Sequence, residues 1–272
     1  MTLLHLFILA LVQGLTEFLP ISSSGHLILI PALTGWPDQG VVMDVAVHVG
    51  TLAAVLIYFH RDSRGLCLAA LGSLGVAPAR RAVAGSQYQR LFWALVIATL
   101  PVVIAGLAFK LSGLDLILRD AVVIGGASIL FGLLLYWADQ AFPATKSLDR
   151  MAIRPALLIG LAQVLALIPG TSRAGITMTA GRWLGFSRVE AARFSMLLSI
   201  PTIAAAGLLA GLDLAQDDMA DRWADAAIAA GLAFIAALGA IHFLMRWLQH
   251  ASMTIFVVYR VVLGVGLLIW AL

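Results

Sequence analysis

The sequence predicts an all-α integral membrane protein made of two inverted-topology repeats, each a re-entrant helical hairpin followed by three transmembrane helices. Three observations carry this reading. The 272-residue chain is 62% hydrophobic and 11% charged, with a mean hydropathy of +1.01, against roughly 45–50% apolar and about 25% charged residues in a soluble domain. Two apolar stretches are too short to cross a bilayer and are interrupted by Pro, Gly and hydroxyl residues. The basic residues fall almost wholly on one side of six full-length apolar runs.

The first apolar run, Leu3 to Phe18, reaches about 24 Å as a helix, short of the roughly 30 Å of a hydrocarbon core. Pro20 then ends it, and His26 to Leu33 is half a span at most. Residues 3–33 therefore read as one hairpin that enters to the midplane and returns. Unwound backbone at that depth is tolerated only where protein buries it or it lines a cavity. Thr34 to Asp38 is an interfacial loop. Residues 41–58 form the first span and end in a hydrophilic segment with Arg61, Arg64, Arg80, Arg81 and Arg90. Spans 91–109, with a kink expected at Pro101, and 121–138 complete repeat one, residues 1–138.

Repeat two, residues 155–272, begins with Pro155, whose missing N–H suits a first helical turn. Ala156 to Ile168 reaches about 20 Å before Pro169-Gly170 breaks it, and Ala174 to Leu184 runs back, giving a second hairpin over 156–184. Spans 187–212, 224–245 and 254–272 follow. Ser187 with Glu190 three residues later is a capping box, and Asp213, Asp217, Asp218 and Asp221 form an acidic loop. An odd number of spans per unit turns the second copy upside down. Short, broken helices at matching places in two such halves point to a site at the repeat interface.

This topology puts Arg61, Arg64, Arg80, Arg81, Arg90, Lys146, Arg150, Arg154, Arg182, Arg188, Arg193 and Arg246 on one side, with Lys110, Arg119 and Arg222 on the other. The asymmetry predicts cytoplasmic basic loops and both termini outside. The N-terminus lacks a basic region and a small-residue cleavage site, so it reads as mature structure. A net charge of +3 gives no support for a nucleic-acid partner. The single cysteine, Cys67, excludes an internal disulfide and a cysteine-based metal cage, and is expected to be a buried small apolar side chain. His5, His60, His242 and His250 read as interfacial, and Trp36, Trp137 and Trp247 as interface anchors.

Chemistry concentrates in the two breaks. Gln13 to His26 carries an amide, a carboxylate, three hydroxyls and an imidazole within apolar sequence, although a carboxylate at the bilayer centre costs roughly 2.5–3.5 kcal/mol. Pro169 to Gly175 carries Thr171, Ser172 and Arg173. A new helix starts near Gly25 and another near Ala174, just after Gly170. Such helix N-termini offer free N–H groups and partial positive charge to a phosphate. Arg173 adds a planar donor fork, and Ser22, Ser23, Ser24, Thr171 and Ser172 add hydroxyls. Gln13 and Glu17 share a helix face, so Gln13 reads as an orienting amide. Glu17 is a ligand for Mg2+ or Ca2+ completed by phosphate oxygens and water, or a base. Ser23 is a nucleophile if Glu17 or His26 activates it, and His26 is acid, base or nucleophile. Blander readings stand beside these: Glu17 and Arg173 as a mutually burying pair, His26 as a helix-start residue, and each serine as a cap. Asp44 and His48 support the site or sit at the interface, and Arg260 pairs structurally.

Gln13 through His26 and Pro169 through Gly175 closely resemble the two motifs of the bacterial undecaprenyl-diphosphate phosphatases of the bacitracin-resistance family, and the resemblance covers nearly the whole chain. It implies hydrolysis of undecaprenyl diphosphate to undecaprenyl phosphate and inorganic phosphate, recycling the lipid carrier of cell-wall synthesis in the bacterial inner membrane. It also implies a divalent cation and a pocket open to the periplasmic side. Residue by residue it marks Glu17, Ser23, His26 and Arg173 as catalytic, with Gln13, Ser22, Ser24, Ser172 and Thr177 around them; Gly25, Gly170 and Thr171 complete the expected substrate-binding set. Two departures stand out. Gln13 replaces a Glu of many members, and Ala174 replaces the usual Ser. The tripeptide Ser24-Gly25-His26 also resembles the type 2 phosphatidic-acid phosphatases, but no His follows Arg173 on its helix, so that family is rejected. The alternative function is a flippase or transporter for a polyprenyl phosphate. Membrane lipids and the polyprenyl diphosphate are the expected partners, and self-association as a homodimer stays open.

Overall fold

A computed structural model describes residues 2–37, 39–113, 118, 120–214 and 223–271. Asp38, Arg119, Asp217, Asp218, Asp221 and Arg222 lie outside the described residues, as do the side chains of Arg150 and Asp213. In chain order the α-helices are α1 (Leu3–Thr16), α2 (Ser23–Thr34), α3 (Gly40–Tyr58), α4 (His60–Ser73), α5 (Ala77–Val83), α6 (Gln87–Ser112), α7 (Ala121–Ala141), α8 (Ile153–Val164), α9 (Arg173–Trp183), α10 (Arg188–Leu214), α11 (Trp223–His250) and α12 (Thr254–Ala271). Six of them, α3, α6, α7, α10, α11 and α12, are long and apolar enough to cross a membrane. The protein is thus an all-helical, multi-pass membrane protein, and these six coincide with the expected spans to within a few residues.

The remaining pieces explain the two breaks. α1 has 14 residues, about 21 Å, and α2 has 12; α8 and α9 have 12 and 11. A short 3-10 turn, Leu165–Leu167, extends α8 before its break. α6 starts on the Ser86 hydroxyl, which accepts from the Gln89 N–H at 3.4 Å, and ends at Gly113 with φ 70°. It runs unbroken through Pro101.

Small residues set the helix packing, as expected where lipid offers no hydrophobic drive between helices. A Cβ at Gly50 of α3 would strike the Ala230 carbonyl of α11, and one at Gly160 of α8 would strike the Ala98 carbonyl of α6. α1 lies on α11 through Gly14, where an added Cβ would come within 2.7 Å of the Ala233 carbonyl.

The basic side departs from the expected loops in three ways. The hydrophilic segment after the first span is helical, as α4 and α5, with Arg61, Arg64, Arg80 and Arg81 exposed. Arg182 is only 4% exposed; it and Arg188 converge on the buried Asp139 at 3.3 and 2.6 Å, while Arg193 grips Asp62 through two bonds of 3.1 and 2.6 Å. The Ser187–Glu190 box is half formed. Ser187 Oγ accepts from the Glu190 N–H at 3.2 Å, but the Glu190 carboxylate accepts from the Leu148 N–H at 3.0 Å, because the preceding loop competes for it. Cys67 is exposed, contrary to the expected burial. It lies on α4 beside a cavity that Leu56 of α3, Phe92 of α6 and Ile200 of α10 also line, and that open space leaves it uncovered.

Candidate active site

Both breaks solve the same backbone problem in the same way. Ser22 (φ 74°) and Ser172 (φ 69°) are the only described non-glycine residues with positive φ, a costly conformation for an L side chain. Each is the N-cap of the helix that follows. Ser22 Oγ accepts from the Gly25 N–H at 3.4 Å, and Ser172 Oγ accepts from the Gly175 N–H at 3.0 Å. The turns reverse sharply at these serines, so the first residues of α2 and α9, Ser23 and Arg173, face inward together. The tips touch: a Cβ on Gly25 would lie 3.7 Å from the Gly170 Cα. Gly170 itself, at φ 91°, sits so close to Ile124 that a Cβ there would strike that carbonyl.

Glu17 lies where the tips meet and is 7% exposed. Its Oε2 accepts from Ser23 Oγ at 2.7 Å and from Gln13 Nε2 at 2.9 Å. Its Oε1 accepts from Arg173 Nη2 at 3.1 Å. Three donors, one of them cationic, call for the ionised, acceptor-only carboxylate. The other nitrogen of the Arg173 fork, Nη1, donates to the Ser195 carbonyl at 2.9 Å, so the guanidinium is anchored on α10. A hydroxyl donating to a carboxylate is the geometry of a nucleophile beside its base.

A cavity of about 580 Å³ opens over this floor. Its polar lining comprises Glu17, Ser23, Ser24, Asp44, His48, Ser172, Arg173 and Thr202; valines of α3 and small residues of α10 form apolar walls. Asp44 and His48 therefore line the same cavity as Glu17 and Arg173. His48 Nδ1 donates to the Asp44 carbonyl at 2.6 Å, which leaves Nε2 directed at Glu17 Oε2, 3.8 Å away.

Other expected site residues stand elsewhere. His26 does not line the cavity. Its Nδ1 meets the Ser22 carbonyl and its Nε2 the Tyr259 hydroxyl, both at 2.6 Å, and these two bonds hold the ring against α12 instead of over Glu17. Thr177 is buried and bonds Ser195 Oγ at 2.7 Å. The Thr171 hydroxyl is buried without a partner, while its carbonyl accepts from Arg260 at 2.8 Å. Gly25 and Gly170 contribute the close approach of the two tips.

Three residues escaped the sequence reading: Ser195, Thr202 and Tyr259. Ser195 had a legible signal, since Ser195, Ser199 and Thr202 form a polar stripe within an apolar span. Tyr259 had none.

Fold and floor together define a class: a polytopic membrane protein in which two half-length hairpins carry a charged, hydroxyl-bearing site to the bottom of an apolar-walled cavity. The relatives of the chain narrow this. Residues 6–266 match the family described as bacitracin resistance protein BacA. The chain is 52% identical over 271 residues to the undecaprenyl-diphosphatase of Roseobacter denitrificans, covering 100% of this chain and 99% of that one. It is 52% identical to that of Dinoroseobacter shibae, again over 100% and 99%, and 48% identical to that of Hahella chejuensis, over 99% and 98%. The chain belongs to the bacitracin-resistance family.

Proposed function

We propose that this protein hydrolyses undecaprenyl diphosphate, the substrate its relatives are named for, to undecaprenyl phosphate and inorganic phosphate, and so returns the lipid carrier to cell-wall synthesis. The observation that carries the reading is the 2.7 Å bond from Ser23 Oγ to Glu17 Oε2 on the floor of an apolar-walled cavity, with Arg173 on the other carboxylate oxygen. Arg173 and the partnerless N–H groups in the first turns of α2 and α9 bind the phosphates. Ser23 Oγ attacks the terminal phosphorus, Glu17 takes its proton, and the bridging P–O bond breaks to release the polyprenyl monophosphate. Water then cleaves the phosphoserine, and Glu17 returns the proton to Ser23. Val41, Val45, Val49 and Leu52 of α3 face Ile203, Ala206 and Ala210 of α10 across the cavity and receive the first isoprene units.

A divalent cation, Mg2+ or Ca2+, is part of the proposal. Among the described residues no three His, Cys, Asp or Glu side chains are grouped to hold a metal by themselves. Glu17 would hold the cation together with diphosphate oxygens and water, as Mg2+ commonly sits in phosphate sites, with Asp44 a second carboxylate on the same cavity lining. When bound it would neutralise phosphate charge.

Inverted repeats are supported by positions 150 apart. Ser22 and Ser172 both cap with positive φ, and α1 packs on α11 while its counterpart α8 packs on α6. An inner-membrane placement with cytoplasmic basic loops is supported by the exposed arginines of α4 and α5. The cavity is lined by residues 41–52 of α3 and 202–210 of α10, the helix halves away from those arginines, which favours access from the periplasmic side.

The test is phosphate release from a polyprenyl diphosphate by purified protein. Glu17→Gln and Ser23→Ala are each expected to lose about 10²–10⁴-fold in kcat. Near wild-type rates in both would overturn the roles given to Glu17 and Ser23, and no phosphate release by the wild-type protein would favour a flippase instead.

A further inference from the structure

Arg260 is wholly buried within α12 and has no carboxylate partner among the described residues. It is compensated only by backbone carbonyls: Ser128 at 3.1 Å and Ala127 at 3.5 Å on α7, Pro20 at 3.4 Å in the first break, and Gly170 at 3.0 Å and Thr171 at 2.8 Å in the second. A cation taken out of water on those terms is expensive, and a leucine would fill the space more cheaply. Gly175 keeps the space open, since a Cβ there would lie 2.7 Å from Arg260 Nη1.

The neighbouring residue, Tyr259, reaches the first of these turns by another route. Its hydroxyl lies 2.6 Å from His26 Nε2, and the two rings stack with centroids 5.8 Å apart. His26 Nδ1 faces the Ser22 carbonyl, which can only accept, so Nδ1 carries the proton. In the neutral ring Nε2 then accepts, and Tyr259 O–H donates. The chain of bonds runs from Tyr259 through His26 to the carbonyl of the strained N-cap, one residue before Ser23.

We infer that Tyr259 and Arg260 are positioning residues for the reaction: Tyr259 acts through His26 on the Ser22 turn, and Arg260 ties that turn to the Gly170–Thr171 turn, so that Ser23 and Arg173 meet the diphosphate in register. His26 is then a positioning residue as well, since it touches neither the cavity nor Glu17. This rests on the phosphatase reading above and assigns it a supporting shell. A hydroxyl displaced by about 1 Å can cost on the order of 100-fold in rate, which is the penalty such a clamp would prevent.

The experiment measures kcat and KM for polyprenyl diphosphate hydrolysis by purified, folded full-length variants, with Ser23→Ala alongside. Tyr259 is 44% exposed, so Tyr259→Phe keeps the ring and removes only the hydroxyl. The expected result is roughly a tenfold or greater fall in kcat with KM within about twofold. His26→Asn should fall similarly, and the double variant no further than the worse single variant, because both act on one turn. Arg260→Lys, which keeps charge but cannot reach both turns, should lower kcat in the same KM-silent way. Wild-type kcat in Tyr259→Phe, or additive losses in the double variant, would overturn the clamp while Ser23→Ala remains dead. No hydrolysis by the wild-type protein would instead overturn the phosphatase reading beneath it, and an active Ser23→Ala would overturn the role of Ser23 as nucleophile.

Discussion

Gln13 shows what one side chain decides at this site. Its amide nitrogen donates to Glu17 Oε2, the oxygen that also accepts from Ser23, and its own Oε1 is buried without a partner. A carboxylate there would face Glu17 with no donor between them, and only a cation could relieve the repulsion. Gln13→Glu is therefore expected to fall below the wild-type rate once Mg2+ is removed, and to regain half of its own maximal rate at a lower Mg2+ concentration than wild type; superimposable titrations after chelator treatment would separate the cation from Glu17. Arg173→Lys tests the fork. An ammonium cannot hold both the Ser195 carbonyl and Glu17 Oε1 as the guanidinium does, and kcat/KM should fall by roughly 10–100-fold, the equivalent of one or two charge-assisted hydrogen bonds. At this scale the sequence was informative wherever a polar residue stood in apolar surroundings. Glu17, Ser23 and Arg173 were legible on that ground alone, and so was Arg260. Tyr259 was not, since a tyrosine in a terminal span reads equally well as a lipid-facing anchor.

Among the elements, the two turns carry the strain and the four short helices carry the consequence. Ser22 and Ser172 hold backbone that a β-branched residue adopts only at a cost of order 1–3 kcal/mol, and each cap bond adds about 1 kcal/mol. Ser172→Val should therefore lower the thermal unfolding temperature in detergent clearly more than Ser199→Ala, a buried hydroxyl that merely bonds its own helix at Met196. Equal shifts would mean that the turn is not under strain. The paired glutamines show how alike positions diverge. Gln13 serves Glu17, whereas Gln163, at the matching place, donates to the Ala98 carbonyl at 3.4 Å and accepts from Thr202 at 3.4 Å, fastening α8 to its neighbours. Run lengths exposed the hairpins in advance, because the apolar run Leu3 to Phe18 reaches only about 24 Å as a helix, too short to cross a bilayer. The half-formed Ser187 cap was misread because Glu190 is claimed by a loop 42 residues away, which no local motif records.

For the whole molecule, the arrangement predicts a sidedness that labelling can check. With the exposed Cys67 replaced by Ser, a cysteine at Gly85, between α5 and α6, should resist an impermeant maleimide applied outside intact cells and react after the membrane is opened; one at Thr34, ahead of α3, should react at once. The reverse pattern would put the cavity on the cytoplasmic side. The sequence by itself determined the membrane class, the six spans, the two interrupted hairpins and the polar groups they carry, because bilayer thickness and the cost of burying charge are set by composition and length. Only the tertiary structure decided that Glu17 binds Ser23 and Arg173 together, that His26 turns away toward Tyr259, and that a buried arginine on the last helix gathers both turns. Those outcomes depend on which face a helix presents after a sharp reversal and on contacts between residues 89 to 240 positions apart, and linear spacing holds no information about either.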